Sequence, residues 1–179
     1  VSMGGMIAQG LAAHYPDRVR SLTSIMSSTG ARSLPKATPR ASMAFIARPR
    51  SHRREDVVNH FAKVFAVIGS PGFPVPMSEL RERVGAGFDR CYEPRGTLKQ
   101  LAAIIASGDR SDEVRSIAAP TLVIHGADDP LVPLGNGEDT AKKIRGARLE
   151  VIPGMGHDLG AVVPIIEKLL PFLRQGNKA

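Results

Sequence analysis

The chain has 179 residues, with 24 Lys and Arg against 17 Asp and Glu for a formal net charge of +7, and 42% of its residues are apolar. This length suits one globular domain with a sizeable core, and the composition excludes collagen-like and wholly disordered chains. Its single cysteine, Cys91, excludes an internal disulfide and any zinc or redox site built on a CxxC pair.

The beginning of the chain predicts a helix followed by a strand. Apolar side chains recur every four residues, the spacing of one helix face, at Met3, Ile7, Leu11 and Tyr15. Pro16 is expected to end this helix. Residues 19–26 are rich in aliphatic and β-branched side chains and predict a buried strand, closed by turn-forming residues at 27–30.

Residues 31–109, called here the helical segment, carry three helical patterns and no convincing strand. The apolar positions that define these patterns lie within residues 57–68, 80–88 and 98–105. Proline and glycine dominate the breaks, most clearly at residues 71–76. We therefore expect an all-helical insertion that serves as a cap or lid.

Strands and helices alternate again after Pro120. Short apolar runs at residues 121–124 and 147–152 predict strands, and residues 135–144 predict a helix between them. A strong apolar stripe within residues 162–173 predicts a terminal helix. Alternation of this kind implies a parallel sheet, so the predicted fold class is α/β.

The positive charge is concentrated in residues 32–54, called here the basic segment, which holds seven Lys and Arg and no acidic residue. A basic stripe can attract phosphates, but Phe45 is its only aromatic side chain. We interpret it as a solvated surface and expect no nucleic-acid partner. No apolar run approaches the ~20 residues of a membrane helix, so we also expect no membrane partner and a cytoplasmic location.

Three predicted loops carry groups suited to nucleophilic catalysis, and in parallel sheets such groups gather at one rim. Ser2 begins the first helix, Asp128 and Asp129 follow the strand at 121–124, and His157 follows the strand at 147–152. A serine, an acid and a histidine on one rim can act as nucleophile, orienting group and base.

Simpler interpretations exist for the same residues. Ser2 alone is typical of a helix N-cap. His125, Asp128, Asp129 and His157 have the residue types of a metal site, but they lack a ligand spacing such as H-E-x-x-H. His125 is interpreted as a packing residue at a strand end. Asp158 is interpreted as a surface residue.

The order Ser, Asp, His resembles that of the α/β-hydrolases. Of the family's G-x-S-x-G nucleophile elbow, this chain supplies V-S-M-G at its start. Its H-Y-P-D-R-V, P-T-L-V-I-H-G-A-D-D-P-L-V-P and G-M-G-H stretches are similar to the family's elbow link, acid loop and histidine loop. The resemblance implies a partial α/β-hydrolase core at residues 1–30 and 110–179, with residues 31–109 as its inserted helical cap.

The same resemblance implies the site residues and the reaction. Ser2 would be the nucleophile, His157 the base and Asp129, not Asp128, the acid, because in similar loops the acid stands four residues after a histidine. The backbone N–H of Met3 would stabilise the oxyanion. Within the family, the sequence most resembles aclacinomycin methylesterases and enol-lactonases. This resemblance implies cleavage of a small-molecule carboxylic ester or lactone through an acyl-enzyme, without cofactor or metal.

Other functions stay open at this point. Similar triads serve C–C bond hydrolases, proline iminopeptidases and cofactor-free haloperoxidases, and a non-catalytic binding protein can use the same scaffold. The resembling family has strands before its elbow, whereas this sequence begins on the elbow. We therefore expect the core to be truncated before Val1, and the 179 residues alone to be poorly active.

Overall fold

A computed structural model describes residues 1–176 of the chain. In chain order, the helices and strands are α1 (Met3–His14), β1 (Leu22–Ile25), α2 (Pro39–Ile46), α3 (Arg54–Ile68), α4 (Met77–Arg90), α5 (Gly96–Ser107), α6 (Ser111–Arg115), β2 (Thr121–Gly126), α7 (Gly135–Lys143), β3 (Arg148–Ile152) and α8 (Val162–Gly176). A short 3₁₀ turn at Pro16–Arg18 follows α1.

The three strands form one parallel sheet in the order β1-β2-β3. The register pairs Leu22 with Thr121, and Val123 with Leu149. Every residue of the central strand β2 is buried, as expected for a parallel strand covered on both faces. The predicted α/β class and the parallel pairing are confirmed.

Helices cover both faces of the sheet. On one face, Leu122 and Ile124 of β2 pack in a cluster with Ile165 and Phe172 of α8. A second cluster joins α1, β1, α6 and the residue that follows α7 through the buried residues Ala12, Leu22, Val114 and Ile144. Because the strands are parallel, the loops that follow them lie at one edge of the sheet.

The apolar stripe of α1 is not the face of the helix that packs against the sheet. Ile7 is 64% exposed and Tyr15 is 60% exposed, whereas the buried residues of α1 are Gly5, Gln9 and Ala12. A Cβ atom on Gly5 would lie 2.7 Å from the Ser27 side chain, so α1 approaches the sheet through its small residues. The prediction of the helix is confirmed, but the stripe does not mark its packed face.

Strand β1 is shorter than the predicted strand at residues 19–26. Its pairing with β2 sets where it begins, and the backbone conformation of Met26 sets where it ends. Pairing begins at Leu22, opposite Thr121, and the N–H of Leu22 donates to the carbonyl of Pro120 at 2.9 Å. At the other end, Met26 has φ 44°, which is incompatible with a continuing strand.

The helical segment contains α2, α3, α4 and α5 and no strand. Helices α3, α4 and α5 correspond to the three predicted patterns, while α2 and the short α6 were missed. Helix α2 begins at Pro39 after Thr38, whose Oγ1 accepts a hydrogen bond from the Ala41 N–H at 3.3 Å. A Thr-Pro pair is a helix-start signal that the basic surroundings obscured.

The basic segment is solvated, as expected. All seven of its Lys and Arg side chains belong to exposed residues, and Arg54 forms an exposed ion pair with Asp89. Within residues 1–176, no helix combines the length and the apolar character that crossing a bilayer requires.

Candidate active site

Ser2 occupies a sharp turn immediately before α1. Its backbone has φ 49° and ψ −125°, a region that costs a non-glycine residue about 1–3 kcal/mol. Its N–H donates to the carbonyl of Ile25 at 2.9 Å, and its carbonyl accepts a hydrogen bond from the Ser27 hydroxyl at 2.9 Å. The end of β1 therefore holds the strained turn that presents the Ser2 side chain.

The Ser2 hydroxyl points to His157 and does not cap α1. Its Oγ lies 3.0 Å from His157 Nε2, and it makes no capping hydrogen bond to the helix. The N-cap interpretation of Ser2 is therefore wrong with respect to the side chain. Residues 155 positions apart in sequence meet at hydrogen-bond distance.

Asp129 stands on the other side of the imidazole ring. Its Oδ2 lies 2.7 Å from His157 Nδ1, and its side chain is buried. The second oxygen, Oδ1, accepts hydrogen bonds from the N–H groups of Leu131 and Val132 at 2.9 and 2.8 Å. These two N–H donors hold the Asp129 carboxylate in place and compensate the cost of its burial.

Asp128 faces away from the histidine ring. It belongs to the exposed residues, and its Oδ2 accepts a hydrogen bond from the Gly154 N–H at 2.8 Å. The structure thus joins Ser2, His157 and Asp129 by hydrogen bonds, whereas the Asp128 side chain is bound to the Gly154 N–H instead.

His125 lies fully buried behind Asp129, as the packing interpretation predicts. Its Nε2 lies 2.7 Å from the Val132 carbonyl, to which it donates, and 3.7 Å from Asp129 Oδ2. Burial is the main cause that lowers the pKa of His125 below its ordinary value of 6.5. A neutral His125 therefore supports the loop that carries Asp129.

The N–H of Met3 is the first in α1. No hydrogen bond from it to another group of residues 1–176 is present, as expected for a helix N-terminus. It lies directly after Ser2 at the positive end of the helix dipole, so it is available to a negatively charged oxygen.

A cavity of about 580 Å³ opens beside Ser2 and His157, within the size range of small-molecule sites. Its apolar lining comes largely from α3 and α4 and includes Met26, Phe61, Phe65, Leu80, Val84 and Leu159. Arg83 also lines it, and the Arg83 guanidinium donates to Glu79. The cavity is thus suited to an apolar group next to the Ser2 hydroxyl.

The hydrogen bond between Ser70 and Asp158 was not predicted from the sequence. The Ser70 hydroxyl donates to Asp158 Oδ1, beside His157, and Asp158 is only half-buried but lines the cavity. Interpreting Asp158 as a surface residue is therefore wrong. Its position directly after His157 is the one signal that pointed to the site, while Ser70 lies 88 residues away in sequence.

No group of three or more His, Cys, Asp or Glu side chains within residues 1–176 is arranged to hold a metal ion. His125, Asp129 and His157 are instead tied to each other and to backbone groups by the hydrogen bonds described above.

The chain is similar to known proteins along most of its length. A family model described as serine aminopeptidase, S33, matches residues 1–161. The pimeloyl-[acyl-carrier protein] methyl ester esterase of Chromobacterium violaceum is 30% identical over 159 residues, which cover 87% of this chain and 60% of that protein. The 3-oxoadipate enol-lactonase 2 of Acinetobacter baylyi is 26% identical over 152 residues, covering 85% of this chain and 53% of that enzyme.

A solved structure shares the fold. Est816, described as an N-acyl homoserine lactone degrading enzyme, has a TM-score of 0.67 and 28% identity, covering 97% of this chain and 64% of that one. The chain therefore spans between about half and two thirds of the length of these three proteins.

Proposed function

The chain belongs to the α/β-hydrolase family described as serine aminopeptidase, S33, and on this premise we propose that it is a serine hydrolase of small-molecule carboxylic esters or lactones. The observation that carries the proposal is the line from Ser2 Oγ through the His157 ring to Asp129, with distances of 3.0 and 2.7 Å. An esterase and an enol-lactonase among the relatives support cleavage of a bond between an acyl carbon and oxygen.

The hydrogen bonds around His157 support the proposed roles of the three side chains. A buried carboxylate accepts from Nδ1–H, so Nε2 carries the free lone pair and faces the Ser2 hydroxyl. In the proposed reaction, Nε2 takes the hydroxyl proton as Ser2 Oγ attacks the acyl carbon. Asp129 then stabilises the imidazolium that forms.

The following steps return the protein to its starting state. The tetrahedral oxyanion accepts a hydrogen bond from the Met3 N–H at the helix N-terminus, and the imidazolium gives its proton to the departing alkoxide. Water, deprotonated by His157, then attacks the acyl-enzyme and releases the acid with Ser2 restored. In a lactone the alcohol and the acid remain in one molecule.

The cavity beside Ser2 favours an apolar substrate group. Two phenylalanines, Phe61 and Phe65, and the aliphatic side chains of Leu80 and Val84 face it. We propose that the helical segment, residues 31–109, acts as the cap of this site, because α3 and α4 supply most of that lining. The preferred substrates would carry a medium-length apolar chain next to the ester.

Turnover of p-nitrophenyl esters and of an acyl lactone by the 179-residue chain tests the proposal. We expect weak but measurable hydrolysis in the wild type, none above background in Ser2→Ala, and wild-type rates in Ser33→Ala, which changes an exposed serine of the helical segment. Equal turnover by Ser2→Ala and the wild type would reject it.

A further inference from the structure

The end of helix α3 binds the loop that carries His157, here the histidine loop, residues 154–158. The His157 N–H donates to the carbonyl of Ile68 at 2.7 Å. The Gly156 N–H donates to Ser70 Oγ at 2.9 Å, and the Ser70 hydroxyl in turn donates to Asp158 Oδ1. Both neighbours of His157 in the chain are therefore bound to one side chain, that of Ser70.

Glycines allow the two backbones to approach closely. A Cβ atom on Gly156 would lie 2.3 Å from the Gly69 carbonyl oxygen, closer than any side chain permits. Three residues after Gly69, the Gly72 N–H donates to the Gly154 carbonyl at 2.9 Å. This is a built contact between the helical segment and the histidine loop, and it buries Ser70 to 4% exposure.

The two ends of the histidine loop differ in the support they receive from outside the helical segment. At its start, besides the hydrogen bond from Gly72, the Gly154 N–H donates to Asp128 Oδ2 and the Met155 carbonyl accepts from the Asp128 N–H at 3.1 Å. From residue 156 onward the hydrogen bonds come from the α3 end and from Asp158, which also accepts from the Gly160 N–H. The backbone that aims the His157 ring thus rests on the helical segment.

We propose that Ser70, acting with Asp158, is a positioning residue for His157, so that the helical segment sets the geometry of catalysis as well as the shape of the cavity. This inference rests on the proposed function. Within residues 1–176, Ser70 Oγ forms hydrogen bonds with Gly156 and Asp158 and none with Ser2 or the His157 ring; it acts by fixing residues 156 and 158. A loop free to move would misplace Nε2 relative to Ser2 Oγ, and small displacements of catalytic groups are costly.

Kinetics of Ser70→Ala in the full chain test the positioning role. We expect kcat to fall about 10- to 100-fold while KM changes little, because the cavity lining stays in place. Ser70→Thr, which keeps the hydroxyl, is expected to restore most of kcat. Asp158→Ala in the Ser70→Ala background should add little further loss, since both remove one interaction.

The matched control is Ser51→Ala. Ser51 also donates its hydroxyl to a carboxylate, Asp56, on the helical segment, but within residues 1–176 it forms no hydrogen bond with the histidine loop. We expect wild-type kcat in this variant. A Ser70→Ala protein that is folded by circular dichroism and has wild-type kcat would overturn the proposal.

A readout without turnover separates this inference from the proposed function. The proton between His157 Nδ1 and Asp129 gives a low-field NMR resonance, and we expect Ser70→Ala to broaden or abolish it while Ser51→Ala retains it. If the wild type hydrolyses no ester, the proposed function fails, and this resonance still decides the role of Ser70. An unchanged resonance in Ser70→Ala would contradict that role.

Discussion

Asp129 Oδ2 lies 2.7 Å from His157 Nδ1 in a buried contact, while the neighbouring carboxylate, Asp128, is exposed and bound to a backbone N–H. The two adjacent acids therefore have separable roles. Asp129→Asn is expected to lower kcat by about 10⁴, the loss seen when a triad acid is replaced by its amide. Asp128→Asn should keep most of the activity in the same ester assay. The reverse ranking would mean that Asp128, not Asp129, is the carboxylate that orients His157.

The cavity predicts a change of chain-length preference at Gly87. This residue lines the cavity, and a Cβ atom there would meet no heavy atom within 4 Å, so Gly87→Leu fills open space. We expect kcat/KM for a long-chain p-nitrophenyl ester to fall about 10-fold or more, with acetate turnover unchanged.

Gly10→Leu is the matched control for this change. Gly10 also lies within a helix, α1, with no heavy atom within 4 Å of a Cβ, but it does not line the cavity. Both replacements remove a helical glycine, so neither should lower the thermal midpoint. Equal chain-length profiles for the two variants would contradict the placement of the substrate.

The lowered pKa of His125 predicts loss of stability in acid. Because burial keeps the folded-state pKa below 6.5, the unfolded chain binds a proton at higher pH than the folded chain does. The stability held above about pH 6.5 is therefore lost progressively as the pH falls toward the folded-state pKa. His125→Gln keeps a donor for the Val132 carbonyl and should flatten this part of the dependence, measured by urea unfolding between about pH 7.5 and pH 5.

His14→Gln serves as the comparison, because the His14 side chain is 60% exposed beside Glu113. We expect its acid dependence to follow the wild type. If His125→Gln loses as much stability in acid as the wild type does, the buried neutral histidine is not the cause.

The basic segment predicts weak binding of polyanions. Its seven cationic side chains are exposed on and around α2, so duplex DNA should bind at low salt and dissociate steeply as salt rises. At physiological salt, we expect no saturable binding below about 1 µM, measured by fluorescence anisotropy. Tight, sequence-dependent binding under those conditions would contradict the interpretation of the basic segment as a solvated surface without a nucleic-acid partner.

The sequence was sufficient to predict the groups that meet at the rim of the sheet. Ser2, Asp129 and His157 each follow or begin a regular element, and parallel topology carries such loops to one edge. Their chain order added the resemblance that singled out Asp129. Local patterns and topology together thus predicted this part of the candidate site.

Contacts that depend on close packing were not predictable in this way. The apolar stripe of α1 identified a helix but not its buried face, because Gly5 and its contact with Ser27 decide how α1 lies on the sheet. Ser70 meets Asp158 only because two glycine-containing backbones touch. No periodic pattern in the sequence predicts this contact between Ser70 and Asp158.

Covalent labelling of Ser2 tests the central claim most directly. A fluorophosphonate reacts with a serine whose hydroxyl a histidine activates, so peptide mass spectrometry should find one adduct, on Ser2. Ser2→Ala and His157→Gln should both remain unlabelled under the same conditions, while Ser33→Ala is labelled like the wild type. Undiminished labelling of Ser2→Ala, or a wild type that carries no adduct on Ser2, would contradict the assignment of Ser2 as the nucleophile.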